Sequence, residues 1–148
     1  PARILVDSSL STLRDGVVPR KVYVDEFSAH TVILTTATGL GHEERVARAN
    51  EFGIRLIEAE ESRSGRVDPS FLRSVLSELS LNALYCEGGP TLARSLLESD
   101  QVDYLFHYRS PKLFGGEEAL PGPGLDEYPV REAIEEEFGE DSLNHGFL

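Results

Sequence analysis

Short apolar runs alternate with stretches of helical spacing along most of this chain. Residues 3–7, RILVD, are dense in apolar side chains and end on Ser8 and Ser9, which predicts a buried central strand closed by a polar turn. Residues 31–36, TVILTT, are β-branched and apolar and predict a second strand. The loop TATGLG then leads into a helix over 42–52, which Gly53 stops. Residues 54–59, IRLIEA, resume the strand pattern, and the polar loop EESRSGRVD follows. Asp68 caps the next helix, over 69–79, with Pro69 at its first position. Its spacing gathers Phe71, Leu72, Val75, Leu76 and Leu79 on one side as core. Residues 83–87 read as a further strand, 91–98 as a helix, and 102–109, VDYLFHYR, as an aromatic strand. Between 10 and 29 the pattern is irregular, with a turn at Asp15 and Gly16 and a short extension over 22–25, VYVD. A loop dense in Gly and Pro follows Gly116, and two late strands are expected near 130–138 and 142–148.

Strand and helix thus take turns. That order predicts an α/β fold of three layers with a mostly parallel central sheet, right-handed crossovers and ligands near the carboxyl ends of the strands. The two late strands predict an antiparallel addition at the sheet edge. With 148 residues, 40% of them hydrophobic, the expectation is one domain over 1–148. No apolar stretch approaches the roughly 20 residues of a membrane span. The opening PARILVDSSL lacks the regions of a signal peptide, so a soluble cytoplasmic protein is expected. A formal net charge of -12 opposes attraction to nucleic acid and to anionic lipid. The acidity peaks at Glu135, Glu136, Glu137, Glu140 and Asp141, as on a solvated face. Cys86, the one cysteine, excludes an internal disulfide and reads as a small buried strand residue, and the four histidines show no ligand spacing, so no metal is expected. There is no methionine, and a strand begins within two residues of Pro1, so the chain reads as part of a longer polypeptide.

Candidate chemistry lies in three loops that follow strands: Asp7-Ser8-Ser9, Thr36-Ala37-Thr38-Gly39 and Glu87-Gly88-Gly89-Pro90-Thr91. The last is the most informative. Gly88 and Gly89 permit close backbone approach, Pro90 suits a first helical turn, and Thr91 offers a hydroxyl where a helix N-terminus attracts phosphate. An ordinary tight strand-to-helix connection has the same pattern. Hydroxyls and backbone amides in these loops suit a nucleotide held by dipoles, because a cationic clamp is sparse. GxGxxG after the first strand and a Walker A lysine motif are both absent.

The run EGGPTLARSLLESDQVDYLFHYRSPKLFGG, with the opening RILVDSSLST, resembles the reductase domain of the bifunctional riboflavin-biosynthesis deaminase/reductase, of dihydrofolate-reductase-like fold. The closing SLNHGFL is similar more loosely, and residues 13–81 match in element order alone. The resemblance implies NADPH-dependent reduction of 5-amino-6-(5-phosphoribosylamino)uracil to the ribitylamino product. It places Gly88, Gly89, Pro90, Thr91, Leu92, Ala93, Arg94 and Ser95 along the cofactor, Ser8 near its adenosine end, and Glu87 against the substrate. No catalytic residue is implied beyond these. That family's domain opens with a strand and an Asp-Gly loop, then a helix and a strand, none of which precedes Pro1; the chain corresponds to roughly the C-terminal two-thirds of such a domain.

Glu87 can bind a sugar hydroxyl or exocyclic amine, relay a proton, or simply stabilise the following helix start. The binding role is preferred, because hydride transfer depends chiefly on placing two carbons together. Tyr104, Phe106 and Tyr108 share one face of their strand, as core or as a dimer surface, and the resemblance favours a homodimer. His107 reads as a core or interface histidine. The alternative function is a noncatalytic nucleotide-binding or dimerisation module. Pattern alone leaves NADPH and NADH equivalent, since the discriminating contact would come from loops.

Overall fold

A computed structural model describes residues 2–112, 115, 122 and 124–148. The chain divides into two compact units, Pro1–Phe71 and Leu72–Leu148. The first is built on three parallel strands, β1 (Arg3–Val6), β2 (Thr31–Thr35) and β3 (Arg55–Glu58), in the order β1-β2-β3. Arg3 lies opposite Thr31 and Val32 opposite Arg55. All five residues of β2 are buried, as expected of the middle strand of a parallel sheet covered on both faces.

Three helices connect these strands: α1 (Lys21–Val24), α2 (Ala37–Leu40) and α3 (Glu43–Glu51). Gly53 ends α3 in the left-handed region, with φ of 65°, as its position past the helix predicts. The core gathers Leu10, Leu13, Tyr23, Ile33, Ala49 and Ile54, with Leu5, Val46 and Phe52 packed against it.

The VYVD segment is a correction: residues 21–24 form one helical turn, not an extension. Alternation of Val22, Tyr23 and Val24 mimics a strand, but burial of Tyr23 decides the conformation. Its ring stacks on Phe52 at 6.3 Å between centroids, and the Val22 carbonyl accepts from Arg3 and from Thr31 Oγ1. Arg3 also grips Asp25 through two 2.7 Å hydrogen bonds, tying the turn to β1.

The second unit holds helices α4 (Leu72–Glu78) and α5 (Pro90–Glu98) and an antiparallel sheet of order β4-β6-β5. Its strands are β4 (Tyr104–Arg109), β5 (Arg131–Phe138) and β6 (Asp141–Phe147). The α/β class and the antiparallel late strands thus agree with expectation, and the antiparallel ladder forms a sheet of its own that takes in β4. Asp68 caps the turn at Pro69 as read, its Oδ1 accepting from the Ser70 amide at 2.9 Å and hydroxyl at 2.6 Å. Val75 is fully buried, as are Leu96, Leu97 and Leu143 nearly so.

Residues 83–87 are a second correction. They pair with no strand among the described residues, and Leu84, Tyr85 and Cys86 are exposed. Apolar density reports a wish for burial, whereas a strand also requires a ladder partner. The Gly- and Pro-rich loop read over 117–124 lies outside the described residues except for Gly122 and Gly124. Among the described residues no helix is long and apolar enough to cross a membrane.

Ile33 sits at the centre of the first unit with no exposed surface. Ile33→Ala is expected to lower stability by about 2–5 kcal/mol, read as a reduced urea midpoint with an unchanged slope.

Candidate functional site

The turn after β1 is held by an unusual concentration of hydrogen bonds. Asp7 is buried, and its carboxylate accepts four of them: from the Ser11 amide at 2.9 Å and hydroxyl at 3.1 Å, and from the Thr12 amide at 2.8 Å and hydroxyl at 2.6 Å. Because the Thr12 proton is committed to Asp7, the Tyr23 hydroxyl donates to Thr12 Oγ1 at 2.6 Å. Burial alone would raise the Asp7 pKa, but the hydrogen bonds from Thr12 and Ser11 prevail and hold it below its ordinary 3.8.

Ser8 comes next, and its carbonyl oxygen accepts three hydrogen bonds: from the Thr36 amide at 3.2 Å, Thr35 Oγ1 at 3.0 Å and Thr36 Oγ1 at 2.9 Å. Its side-chain Oγ accepts the Val67 amide at 2.9 Å. That contact uses a lone pair and leaves the hydroxyl proton with no acceptor among the described residues. Thr36 Oγ1 in turn caps α2 by accepting the Gly39 amide. Gly39 is required here, since a Cβ would overlap Thr35 Oγ1 and the Ser8 carbonyl. From α3, Arg45 donates to the Ser9 carbonyl and Arg48 to those of Arg14 and Val17, each at 2.7 Å. The first two candidate loops therefore meet, with Ser8 as the knot.

The third loop belongs to the second unit. Gly89 is the residue before α5, with φ of -64° and ψ of 172°, and no side chain caps the helix. Pro90 occupies the first turn as predicted, and the first intrahelical bond runs from the Ala93 amide to the Gly89 carbonyl at 3.1 Å. The amides of Thr91 and Leu92 have no partner among the described residues, so two N–H groups and the positive end of α5 face an uncapped position. A Cβ on Gly88 would come within 2.7 Å of Leu92 Cδ2, whereas one on Gly89 would meet nothing within 4 Å. Gly88 thus serves packing, and Gly89 keeps the approach open.

Glu87 is exposed and without a hydrogen-bond partner among the described residues. Thr91 and Arg94 are exposed, while Leu92, Ala93 and Ser95 are half-buried. Arg94 reaches the Gly122 carbonyl at 3.4 Å, a structural employment that its neighbours do not suggest. His107 is half-buried on β4, and burial, aided by the charge of Arg109, pushes its pKa below the ordinary 6.5. The candidate loop Asp7-Ser8-Ser9 gives Asp7 no role by itself; the signal for one is Ser and Thr four and five positions beyond a strand-end Asp.

Two solved structures share this fold. A pyrimidine reductase-like protein from Corynebacterium diphtheriae aligns over 100% of this chain and 61% of its own, with TM-score 0.69 and 17% identity. RibD of Acinetobacter baumannii aligns over 100% of this chain and 37% of its own, with TM-score 0.61 and 15% identity. The chain belongs to the RibD C-terminal domain family, whose sequence profile matches residues 1–143. It is 33% identical over 132 residues to the riboflavin biosynthesis protein RibD of Actinobacillus pleuropneumoniae, 86% of this chain and 32% of that protein. A 62-residue stretch is 39% identical to RibD of Escherichia coli, covering 39% of this chain and 17% of that protein. The chain thus spans about a third or less of these curated relatives.

The depressed pKa of Asp7 fixes the sign of a pH effect. Above 3.8 the carboxylate is ionised folded or unfolded and its contribution is complete; as the pH falls through the lower folded value that contribution is lost. Asp7→Asn is expected to destabilise the protein at neutral pH by about 1–3 kcal/mol and to flatten the acid limb, measured as urea midpoints across the acid range. An acid limb unchanged in the variant would assign the effect to other carboxylates.

Proposed function

We propose that the protein is an NADPH-dependent reductase of riboflavin biosynthesis, converting 5-amino-6-(5-phosphoribosylamino)uracil to its ribitylamino product. The observation that carries this reading is the uncapped α5 start behind Gly89, in a chain of the RibD C-terminal domain family. Two amides without a partner among the described residues, the helix dipole and the absence of a side chain at Gly89 fit a pyrophosphate. Gly88, Gly89, Pro90, Thr91, Leu92, Ala93, Arg94 and Ser95 would line the cofactor, and Ser8 would offer its free hydroxyl proton to the adenosine end. When bound, the nicotinamide supplies the hydride. The chain's own work is to hold the two reactants and exclude water, and Glu87 would orient the substrate through a sugar hydroxyl or amine. In this reading residues 1–148 form one reductase-like domain of a cytoplasmic enzyme.

We also place a homodimer contact on the aromatic face of the antiparallel sheet. Tyr104, Phe106, His145 and Phe147 interlock there, with ring centroids 4.8–5.9 Å apart, yet Phe106 and Phe147 keep 42% and 49% of their surface exposed. Such a patch supports a partner copy. A second reading, a noncatalytic nucleotide-binding or dimerisation module, is favoured by the unpaired course of residues 83–87, which leaves Glu87 outside any described strand.

Calorimetric titration with NADPH is expected to show micromolar binding that Gly89→Asp abolishes. The new carboxylate has room, so the loss would come from charge rather than misfolding. Equal binding by the variant would remove the pyrophosphate from the α5 start. Turnover of the pyrimidine substrate separates the enzyme from the module. Phe106→Asp is expected to shift a sedimenting dimer to monomer, and a dimer that persists would move the contact elsewhere.

A further inference from the structure

His145 stands in the aromatic face of the antiparallel sheet, and both of its ring nitrogens are engaged. On β6 it lies opposite Phe106 of β4 and Ile134 of β5, and its ring stacks on Phe106 at 5.4 Å between centroids. Nε2 lies 3.1 Å from Glu136 Oε1, and Nδ1 lies 2.7 Å from the Tyr104 hydroxyl. An ionised carboxylate only accepts, so Nε2 carries a proton toward Glu136. In the neutral ring Nδ1 is then the acceptor, and Tyr104 donates to it. A second ring proton goes to Nδ1, and the Tyr104 hydroxyl must turn and accept instead.

Residues opposite one another in a ladder share a face, which places Arg131, Glu136 and Asp141 on this side with Tyr104, Tyr108 and His145. His107 and Arg109 of β4 and Glu135 and Glu137 of β5 alternate to the other side. Arg131 donates to the Leu148 carbonyl, and the segment 83–87 adds Tyr85, whose ring stands edge-on to Phe106. With a neutral imidazole, Arg131 against Glu136 and Asp141 leaves one negative charge on the face of each copy; with an imidazolium the face is neutral. The imidazole is 12% exposed and the Glu136 side chain 49%, so it is the carboxylate that a covering partner takes out of water.

Tyr85, Phe106, Tyr108, Ile134, Phe138 and Phe147 keep between 42% and 64% of their surface exposed. At about 200 Å² each, they leave roughly 600 Å² of apolar surface in water, most of the roughly 800 Å² a side that a stable dimer buries. The face also carries both signs of charge, so a two-fold copy of itself is a complementary partner. We infer that pairing of two such faces takes up protons at His145, so that the homodimer tightens as the pH falls. The inference rests on the reading of this face as the dimer contact. Two copies with neutral imidazoles bring like charges together and strip water from Glu136 with only a neutral hydrogen bond in return. An imidazolium against each Glu136 removes both costs. The state that binds more protons gains as the pH falls, and a histidine sets that change between about pH 8 and pH 5. The acid limb assigned to Asp7 lies below this window.

The test is sedimentation equilibrium between about pH 8 and pH 6 at constant ionic strength, on the protein and on His145→Gln and Glu136→Gln variants whose fold is checked by circular dichroism. The expected result for the protein is a dimer dissociation constant about 10-fold lower at the acid end than at the alkaline end. In His145→Gln it should stay within about twofold, although His30, His42 and His107 are retained. Glu136→Gln alters a half-exposed side chain and removes the charge, so it should dimerise at the alkaline end as tightly as the protein does at the acid end. A flat or inverted pH dependence in the protein overturns the inference while leaving the dimer, as does a pH dependence that survives in His145→Gln or a Glu136→Gln dimer no tighter at the alkaline end. A monomer throughout, or a dimer that Phe106→Asp leaves intact, would sink the contact reading itself, and this inference with it.

Discussion

The Ser8 carbonyl accepts three hydrogen bonds, and much of the first unit is arranged so that this can happen. Thr35 must end β2 with its hydroxyl inward, Thr36 must both donate to Ser8 and cap α2, and Gly39 must lack a side chain to let the two segments close. Two neighbouring hydroxyls and an amide on one oxygen leave little freedom for the turn. The buried Asp7 carboxylate locks the other side by collecting the Ser11 and Thr12 donors. Hydrogen bonds of this kind contribute modestly one by one, but a buried group left unpaired costs more, so the set forms or fails together.

Arginine placement extends the same logic outward. Arg45 and Arg48 lie three apart on α3 and bind backbone carbonyls of the loop that follows the turn, while Arg3 binds Asp25. These groups act as struts. In an acidic chain, arginines spent on struts are unavailable to ligands.

Local pattern carried the elements whose neighbours are uniform. β2 is legible because five consecutive residues are buried and β-branched or leucine, and α5 because Pro90 opens a stretch with Leu96 and Leu97 inward. The turn at Lys21–Val24 was not legible, since its conformation depends on Tyr23 reaching Phe52 and Thr12. Residues 83–87 have the composition of a strand, although pairing is a property of distant chain. Among candidate site residues, Pro90 and Gly89 are visible from turn chemistry. The tie between Ser8 and Val67 was not, because no local rule links positions so far apart.

The two adjacent glycines before α5 have unequal standing. A side chain at Gly88 must push Leu92 aside, and one at Gly39 runs into the Ser8 carbonyl, so replacing either makes a neighbour move. Gly89 stands in open space. Drift at that position passes unnoticed by the folding machinery and by proteolysis, so under the proposed role of Gly89 a lineage would shed the ligand while still accumulating an intact protein. Abundance in the cell is therefore a poor witness to whether a chain of this kind still works.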